Sequence, residues 1–192
     1  MIDPIAQFSQ WLATAIAHPA ITEPTAMTLA TATPEGKPSA RIVLLKDHGP
    51  EGFLFYTNHD SRKSAELKAN PMAALCFYWM PLDRQVRIEG RIAASTAEEA
   101  DRYFASRPRA RQIGAWASLQ SQPMATRETL EARVVELTAH YEGRDIPRPP
   151  HWSGWRLTPE SIEFWHQNSA RLHEREIYRR RGAVWEHTLL YP

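Results

Sequence analysis

Apolar and polar residues alternate along this chain with two periods, and the switches between them predict its elements. Asp3-Pro4 offers an N-cap and a first-turn proline, after which Ile5, Phe8, Trp11, Leu12 and Ile16 fall on one helical face. Ala26–Thr33 reads as a strand, closed by the turn residues Pro34-Glu35-Gly36-Lys37. Arg41–Lys46 (RIVLLK) and Phe53–Thr57 (FLFYT) flank the turn Gly49–Gly52, which predicts a hairpin between them. Ser61 opens a short helix, SRKSAELKA, that stops at Asn70-Pro71. Ala73–Trp79 and Gln85–Ala93 are expected as strands. In the second, Val86, Ile88, Gly90 and Ile92 alternate with Arg87, Glu89 and Arg91, the mark of a half-buried strand. Ser95-Thr96-Ala97-Glu98 fits a capping box and starts a helix that runs to Ser106 and breaks at Pro108. Thr126–Glu142 is the clearest helix, with Leu130, Val134, Leu137 and Tyr141 at helical spacing. Pro147–Pro150 is a loop, and Ser161–His166, Leu172–Arg179 and Val184–Tyr191 end the chain as three strands. Strands in neighbouring pairs, with helices between the groups, predict an α+β fold with a largely antiparallel sheet closed as a barrel.

Composition narrows the function classes. The 192 residues, 43% hydrophobic and 23% charged, suit one globular domain over residues 1–192. Lys plus Arg is 23 and Asp plus Glu is 22, a balance that disfavours a nucleic-acid partner while leaving room for a local cation cluster around a small anion. The lone cysteine, Cys76, excludes an internal disulfide and a Cys-rich zinc site; its apolar neighbours, Ala73–Met80, predict a small buried hydrophobe. No run approaches the ~20 apolar residues of a membrane span, and MIDPIAQF lacks a basic leader. A cytoplasmic protein with no membrane partner is therefore expected. The eight glycines never form GxGxxG or GxxxxGK[ST], and the eight histidines form no HExxH or ligand pair. No GxSxG elbow occurs either, and no metal site is expected.

Cationic clusters remain. In Ser61-Arg62-Lys63-Ser64 two cations occupy the first turn of a helix, the unfavourable end for the macrodipole. A bound phosphate would resolve that conflict, using free N–H groups, the cations and the Ser61 hydroxyl; a solvated basic turn is the plainer alternative. If Leu172–Arg179 is a strand, Arg171, His173 and Arg175 project from one of its faces and need something negative or aromatic against them, unless they merely decorate an exposed edge. Arg179–Arg181 suits that edge role. RPRAR (107–111) is a third cluster, just after Tyr103. With Tyr56 and Trp165 nearby in the pattern, these groups would suit a flat, phosphorylated, aromatic molecule.

The motifs RIVLLK (41–46), FYTN (55–58), SRK (61–63), RQV (84–86), YF-x-SRP (103–108), QIGAW (112–116), QS (120–121), EFW (163–165) and RLH-x-R (171–175) occur in this order across nearly the whole chain. In them the sequence resembles the pyridoxine/pyridoxamine 5′-phosphate oxidases. The resemblance implies a split β-barrel with FMN bound at the interface of a homodimer. Arg41, Ile42, Val43, Leu44 and Lys46 would line the cofactor, with Arg41 also reaching its phosphate side. Tyr56 and Thr57 would contact it, Arg62 and Lys63 would grip its phosphate, and Gln85, Gln120, Ser121, Trp165 and Arg175 would complete the site. Lys46, Tyr103 and Arg107 would hold the substrate phosphate, and Arg171 and His173 would act on the ring as the catalytic pair.

The reaction implied is oxidation of pyridoxine or pyridoxamine 5′-phosphate at the 4′ carbon, with hydride passing to the flavin and O2 reoxidising it to give hydrogen peroxide. The amine substrate also releases ammonia. Some positions depart from the family pattern. The chain starts almost at its first helix, without the N-terminal segment that folds over substrate in many members, so closure is expected to be weaker or made by another loop. Arg111 stands where a serine usually touches the substrate phosphate, His166–Ala170 replaces a Gly-containing loop, and Glu174 replaces an aspartate. A flavin oxidase of the phenazine-biosynthesis type and a non-catalytic flavin or pyridoxal-phosphate carrier are the alternatives.

Overall fold

A computed structural model describes residues 3–192; Met1 and Ile2 lie outside the described residues. The strands are β1 (Ala26–Ala32), β2 (Pro38–Leu44), β3 (Asp47–Gly49), β4 (Gly52–Asn58), β5 (Met72–Trp79), β6 (Arg84–Ala94), β7 (Trp152–His166), β8 (Glu174–Arg181) and β9 (Val184–Leu189). All nine join one antiparallel sheet: seven run in the order β2-β1-β5-β6-β7-β4-β3, β8 branches from β7 with β9 beyond it, and β2 returns against β4 to close a barrel. Strand β7 makes the split. Its first half pairs with β4 (Trp152–Leu157), its last half pairs with β8 (Ser161–His166), and β6 runs along its other edge. The helices α1 (Pro4–Ala17), α2 (Arg62–Ala69), α3 (Ala97–Ala105), α4 (Arg109–Ala117) and α5 (Arg127–His140) flank this sheet. Among the described residues no helix is long and apolar enough to cross a membrane, and no group of His, Cys, Asp and Glu could hold a metal.

The core follows from the alternation. Leu75, Phe77, Val86, Ile88, Leu157 and Ile162 point inward and are fully buried. Helix α1 plugs the barrel. Asp3 Oδ1 caps it by accepting from Ile5 N at 3.0 Å, and Phe8 stands edge-on to Phe53 (4.9 Å) and Phe77 (5.1 Å). Ile16, expected on the same face, is exposed and Ala15 is buried instead, because the stripe through Leu12 continues at the i+3 position. A second cluster, Phe104, Ile113, Ile146 and Trp152, lies under α3–α5. Helix α5 contributes only half-buried Val134 and Leu137 to it, with Tyr141 at its C-cap, and has no fully buried residue.

Some elements differ from the sequence-based expectation. RIVLLK pairs with β1, not with FLFYT; the three-residue β3 is the hairpin partner of β4. The chain changes partner at Leu45 and Lys46, whose amides donate to Thr25 O (2.9 Å) and Leu54 O (2.8 Å). Gly52 sits at φ +124 in this hairpin, where a Cβ would meet Leu157 O at 2.1 Å. The capping box falls one residue later, between Thr96 and Glu99, with both bonds at 3.1 Å. Pro108 ends α3 and also serves as the N-cap residue of α4, a helix the pattern did not suggest. β7 begins at Trp152 rather than Ser161, its start masked by Gly154 and Pro159. Pro159 faces Gly90 beside the register shift at Glu89/Gly90, where a missing N–H is tolerated. Cys76 is half-buried on the outer face of β5, since its neighbours Leu75 and Phe77 take the inward positions.

The same-face argument for Arg171, His173 and Arg175 fails. The strand starts at Glu174, and Arg171 ends a 3-10 turn in which Ala170 (φ +55) and Arg171 (φ +61) are left-handed. A left-handed pair breaks the two-residue alternation that a shared face requires.

Candidate active site

A cleft of about 270 Å³ opens where the rim of β2, the start of α2 and helices α3 and α4 meet. Ile42, Val43 and Leu44 give it an apolar wall, and Tyr56, Thr57, Gln120 and Trp152 line it from β4, the loop after α4 and the start of β7. Tyr56, Tyr103 and Trp152 lie nearly parallel in a triangle, with centroids 4.2 Å (Tyr56–Tyr103), 5.2 Å (Tyr56–Trp152) and 6.1 Å (Tyr103–Trp152) apart, forming an aromatic slab.

Cations occupy two corners. At the first, Lys63 Nζ donates to Gln120 Oε1 (2.7 Å), Thr57 Oγ1 (3.1 Å) and Ser61 Oγ (3.1 Å). Burial, with help from Arg41, brings its pKa down to about 8. Arg62 N donates to Ser121 Oγ at 3.2 Å, which seats the Gln120–Ser121 loop, with Ser121 at φ +73, on the first turn of α2. Arg41 and Arg62 stand behind Lys63, both bonded to Glu66, and neither lines the cleft. The Ser61 hydroxyl, expected to be free for an anion, is fully buried and donates to Asn58 O at 2.6 Å.

At the second corner Lys46, Arg107 and Arg111 converge beside Tyr103. Burial lowers the Lys46 pKa; Glu23 opposes that shift, while Arg111 and Arg107 add to it. The Arg107 guanidinium lies 4.7 Å over the Trp152 ring, its Nη1 is buried without a partner, and burial lowers its pKa too. Three cations and an orphaned N–H describe a site that wants an anion.

The remaining expected residues lie elsewhere. Gln85 is in register with Trp165, and Trp165 with Arg175, forming a row across β6, β7 and β8. The His173 ring sits 4.7 Å from Trp165. Glu163, buried at 4% exposure, accepts from Arg87 (2.7 Å) and Arg175 (2.9 Å) and so fixes the last member of the row. Trp152, at the cleft, and Trp165, in the row, stand near opposite ends of β7, about 40 Å apart along an extended strand. One chain therefore does not bring both sets onto one small ligand.

Sequence reasoning missed Trp152, Glu66 and Glu163. The i,i+4 spacing of Arg62 and Glu66 was the available signal for the second; the other two needed the register of β7.

A split antiparallel barrel with a flat aromatic slot between two anion-binding corners defines a protein for phosphorylated, planar ligands. The chain belongs to the pyridoxamine 5′-phosphate oxidase family: residues 14–141 match the family's "Pyridoxamine 5′-phosphate oxidase" model, and residues 152–192 match its "Pyridoxine 5′-phosphate oxidase C-terminal dimerisation region", which supports a homodimer. A pyridoxine/pyridoxamine 5′-phosphate oxidase of Myxococcus xanthus (strain DK1622) is 56% identical over 190 residues, 99% of this chain and 92% of that one. One of Rhodospirillum rubrum is 54% identical over 196 residues, covering 99% and 96%. Among solved structures, PhzG from Burkholderia lata 383, in complex with tetrahydrophenazine-1-carboxylic acid, superposes with TM-score 0.93 at 37% identity, covering 99% of this chain and 93% of that one. A pyridoxamine 5′-phosphate oxidase-related, FMN-binding protein from Nostoc punctiforme PCC 73102 shares the fold at TM-score 0.79 and 16% identity, covering 100% and 98%.

Proposed function

We propose that this chain is an FMN-dependent oxidase that converts pyridoxine 5′-phosphate and pyridoxamine 5′-phosphate to pyridoxal 5′-phosphate, with O2 as the final acceptor. One observation carries the reading: the slot has two separate anion corners, one around Lys63 and one of Lys46, Arg107 and Arg111, as a phosphorylated cofactor and a phosphorylated substrate together require. FMN is the family's cofactor, and the desolvated Lys63 amine beside an apolar and aromatic wall fits it. Bound FMN supplies hydride acceptance, and its reoxidation by O2 yields hydrogen peroxide.

The protein's part is placement and electrostatics. Lys63 with Gln120 holds the cofactor phosphate, backed by Arg41, Arg62 and Ser121, while Ile42–Leu44, Lys46, Tyr56 and Thr57 hold its body. Lys46, Tyr103, Arg107 and Arg111 take the substrate phosphate. The row Gln85–Trp165–Arg175 closes the cofactor from a second copy of the chain, and Arg171 and His173 of that copy clamp the substrate ring. The place of this row near the far end of β7 from the cleft supports this division across a subunit interface. Arg171 presses the ring toward the cofactor, and His173 hydrogen-bonds its oxygen; alignment for hydride transfer is the main demand, and neither residue need carry a proton. The amine substrate further consumes water and releases ammonia. A single domain over residues 1–192, supported by the one continuous sheet, and a cytoplasmic place of action belong to the same reading.

FMN-loaded protein in air should form pyridoxal 5′-phosphate and hydrogen peroxide in equal amounts, and should turn over unphosphorylated pyridoxine at least about 100-fold less efficiently, as lost charge-assisted contacts imply. Equal rates with and without the phosphate would contradict the second anion corner. Turnover of a reduced phenazine carboxylate alone would move the protein to the reading that its likeness to PhzG favours.

A further inference from the structure

Glu66 lies on α2 one helical turn past Arg62, is 6% exposed, and does not line the cleft. Its Oε2 accepts from Thr31 Oγ1 (2.5 Å), Ser39 Oγ (2.6 Å) and Arg41 Nη2 (3.1 Å), and its Oε1 accepts from Arg62 Nε (2.9 Å). One buried carboxylate therefore ties β1, β2 and α2 together. Arg41 is held from all sides, donating also to Thr31 Oγ1 (2.6 Å), Ser39 Oγ (2.5 Å) and Leu29 O (3.2 Å). Burial would raise the Glu66 pKa, but the bonds from Ser39, Thr31, Arg62 and Arg41 outweigh it and bring the group down to about 2. The carboxylate is thus charged at any working pH.

An anion beside a phosphate site is at first sight misplaced, because it repels the ligand. Arg41 and Lys63, however, are close enough that Arg41 helps depress the Lys63 pKa, and two such cations do not stay together unaided. We propose that Glu66 is the positioning residue of the cofactor-phosphate corner: it fixes Arg41 and Arg62 behind Lys63 and acts only through them. The inference rests on reading that corner as the FMN-phosphate site. The two effects of Glu66 have opposite signs, which makes the proposal sharp. Charge alone predicts that removing it tightens phosphate binding; positioning predicts that removing it weakens binding, by about tenfold on the scale at which losing the partner that orients a metal ligand weakens a metal site.

The test is titration of the flavin-free full chain with FMN and with riboflavin, which lacks the phosphate. The wild type, Glu66→Gln and the double variant Thr31→Val/Ser39→Ala are compared, with a thermal melt of each. The expected result is at least about a tenfold loss of FMN affinity in Glu66→Gln with riboflavin affinity within about twofold, and a smaller loss of the same selectivity in the double variant, which keeps the charge but removes its hydroxyl supports. Unchanged or tighter FMN binding in Glu66→Gln would overturn the proposal, and so would an equal loss of both flavins, the signature of a merely structural role. Should Glu66→Gln fail to fold, the double variant decides: wild-type preference for FMN over riboflavin overturns the proposal and reduced preference upholds it. A wild type that binds both flavins equally would instead refute the phosphate assignment beneath it.

Discussion

Raising the pH from 7 to 10 should loosen FMN from this protein while sparing riboflavin. Lys63 is the group that responds, because burial has brought its pKa to about 8 from an ordinary 10.5. The sign follows from the depressed value: the protonated amine, which attracts phosphate, is abundant below pH 8 and is lost as pH rises through it. By simple titration the free chain holds this proton in about 90% of molecules at pH 7 and in about 1% at pH 10. If a bound phosphate returns the amine to its ordinary range, linkage gives an affinity loss of up to about 70-fold, roughly 2.5 kcal/mol, across that interval. Lys63 is only half-buried, and screening brings the expected loss to about tenfold to 70-fold. Fluorescence titration of the flavin-free chain at both pH values reads it directly. Riboflavin shares every titrating group of the flavin ring and lacks only the phosphate, so the ratio of the two affinities isolates the Lys63 corner. A ratio that stays constant from pH 7 to 10 would refute the assignment of Lys63 to the phosphate.

Other consequences are as direct. Arg111→Ser should raise the KM for pyridoxine 5′-phosphate about tenfold with little change in kcat, since it removes one charge-assisted contact from the second corner; an unchanged KM would place Arg111 outside the substrate site. Mixing and reassembling inactive Lys63→Ala and Arg175→Ala chains should restore about a quarter of wild-type activity, because half the dimers are mixed and each mixed dimer has one intact site. No recovery, with mixed dimers present, would argue that one chain supplies both halves. Phe8→Ala should destabilise the fold by about 3–5 kcal/mol in a denaturant melt, given its full burial and its edge contacts with Phe53 and Phe77. A loss under about 1 kcal/mol would mean that α1 is not a structural plug.

Legibility in the sequence tracked locality. Asp3 at its helix cap, the SRKSAELKA helix and the Val86–Ile92 alternation are set by neighbours within a turn or a strand, and all three stand where the pattern puts them. The partner of RIVLLK was not legible, because it turns on where the chain switches edges at Leu45 and Lys46, and side-chain alternation is blind to that choice. The early start of β7 was hidden by Gly154 and Pro159, each tolerated only through a tertiary neighbour, Ser95 for one and the irregularity at Gly90 for the other. The two cationic corners could be suspected from SRK and RPRAR. Their convergence with Lys46 on one slot, with Glu66 behind and Trp152 beneath Arg107, came from register and packing. Arg171 and His173 were singled out for a shared strand face that does not exist, and their place in the proposal rests on the family pattern and on the nearness of His173 to Trp165.

The central claim is best tested by mixing FMN-loaded protein with pyridoxine 5′-phosphate in the absence of oxygen while the visible absorbance of the flavin is followed. The account predicts bleaching, recovery on admission of air, and formation of pyridoxal 5′-phosphate, with the bleaching severely slowed in Arg171→Ala and His173→Ala although both retain FMN. A flavin that stays bound and oxidised with this substrate and with pyridoxamine 5′-phosphate would contradict it.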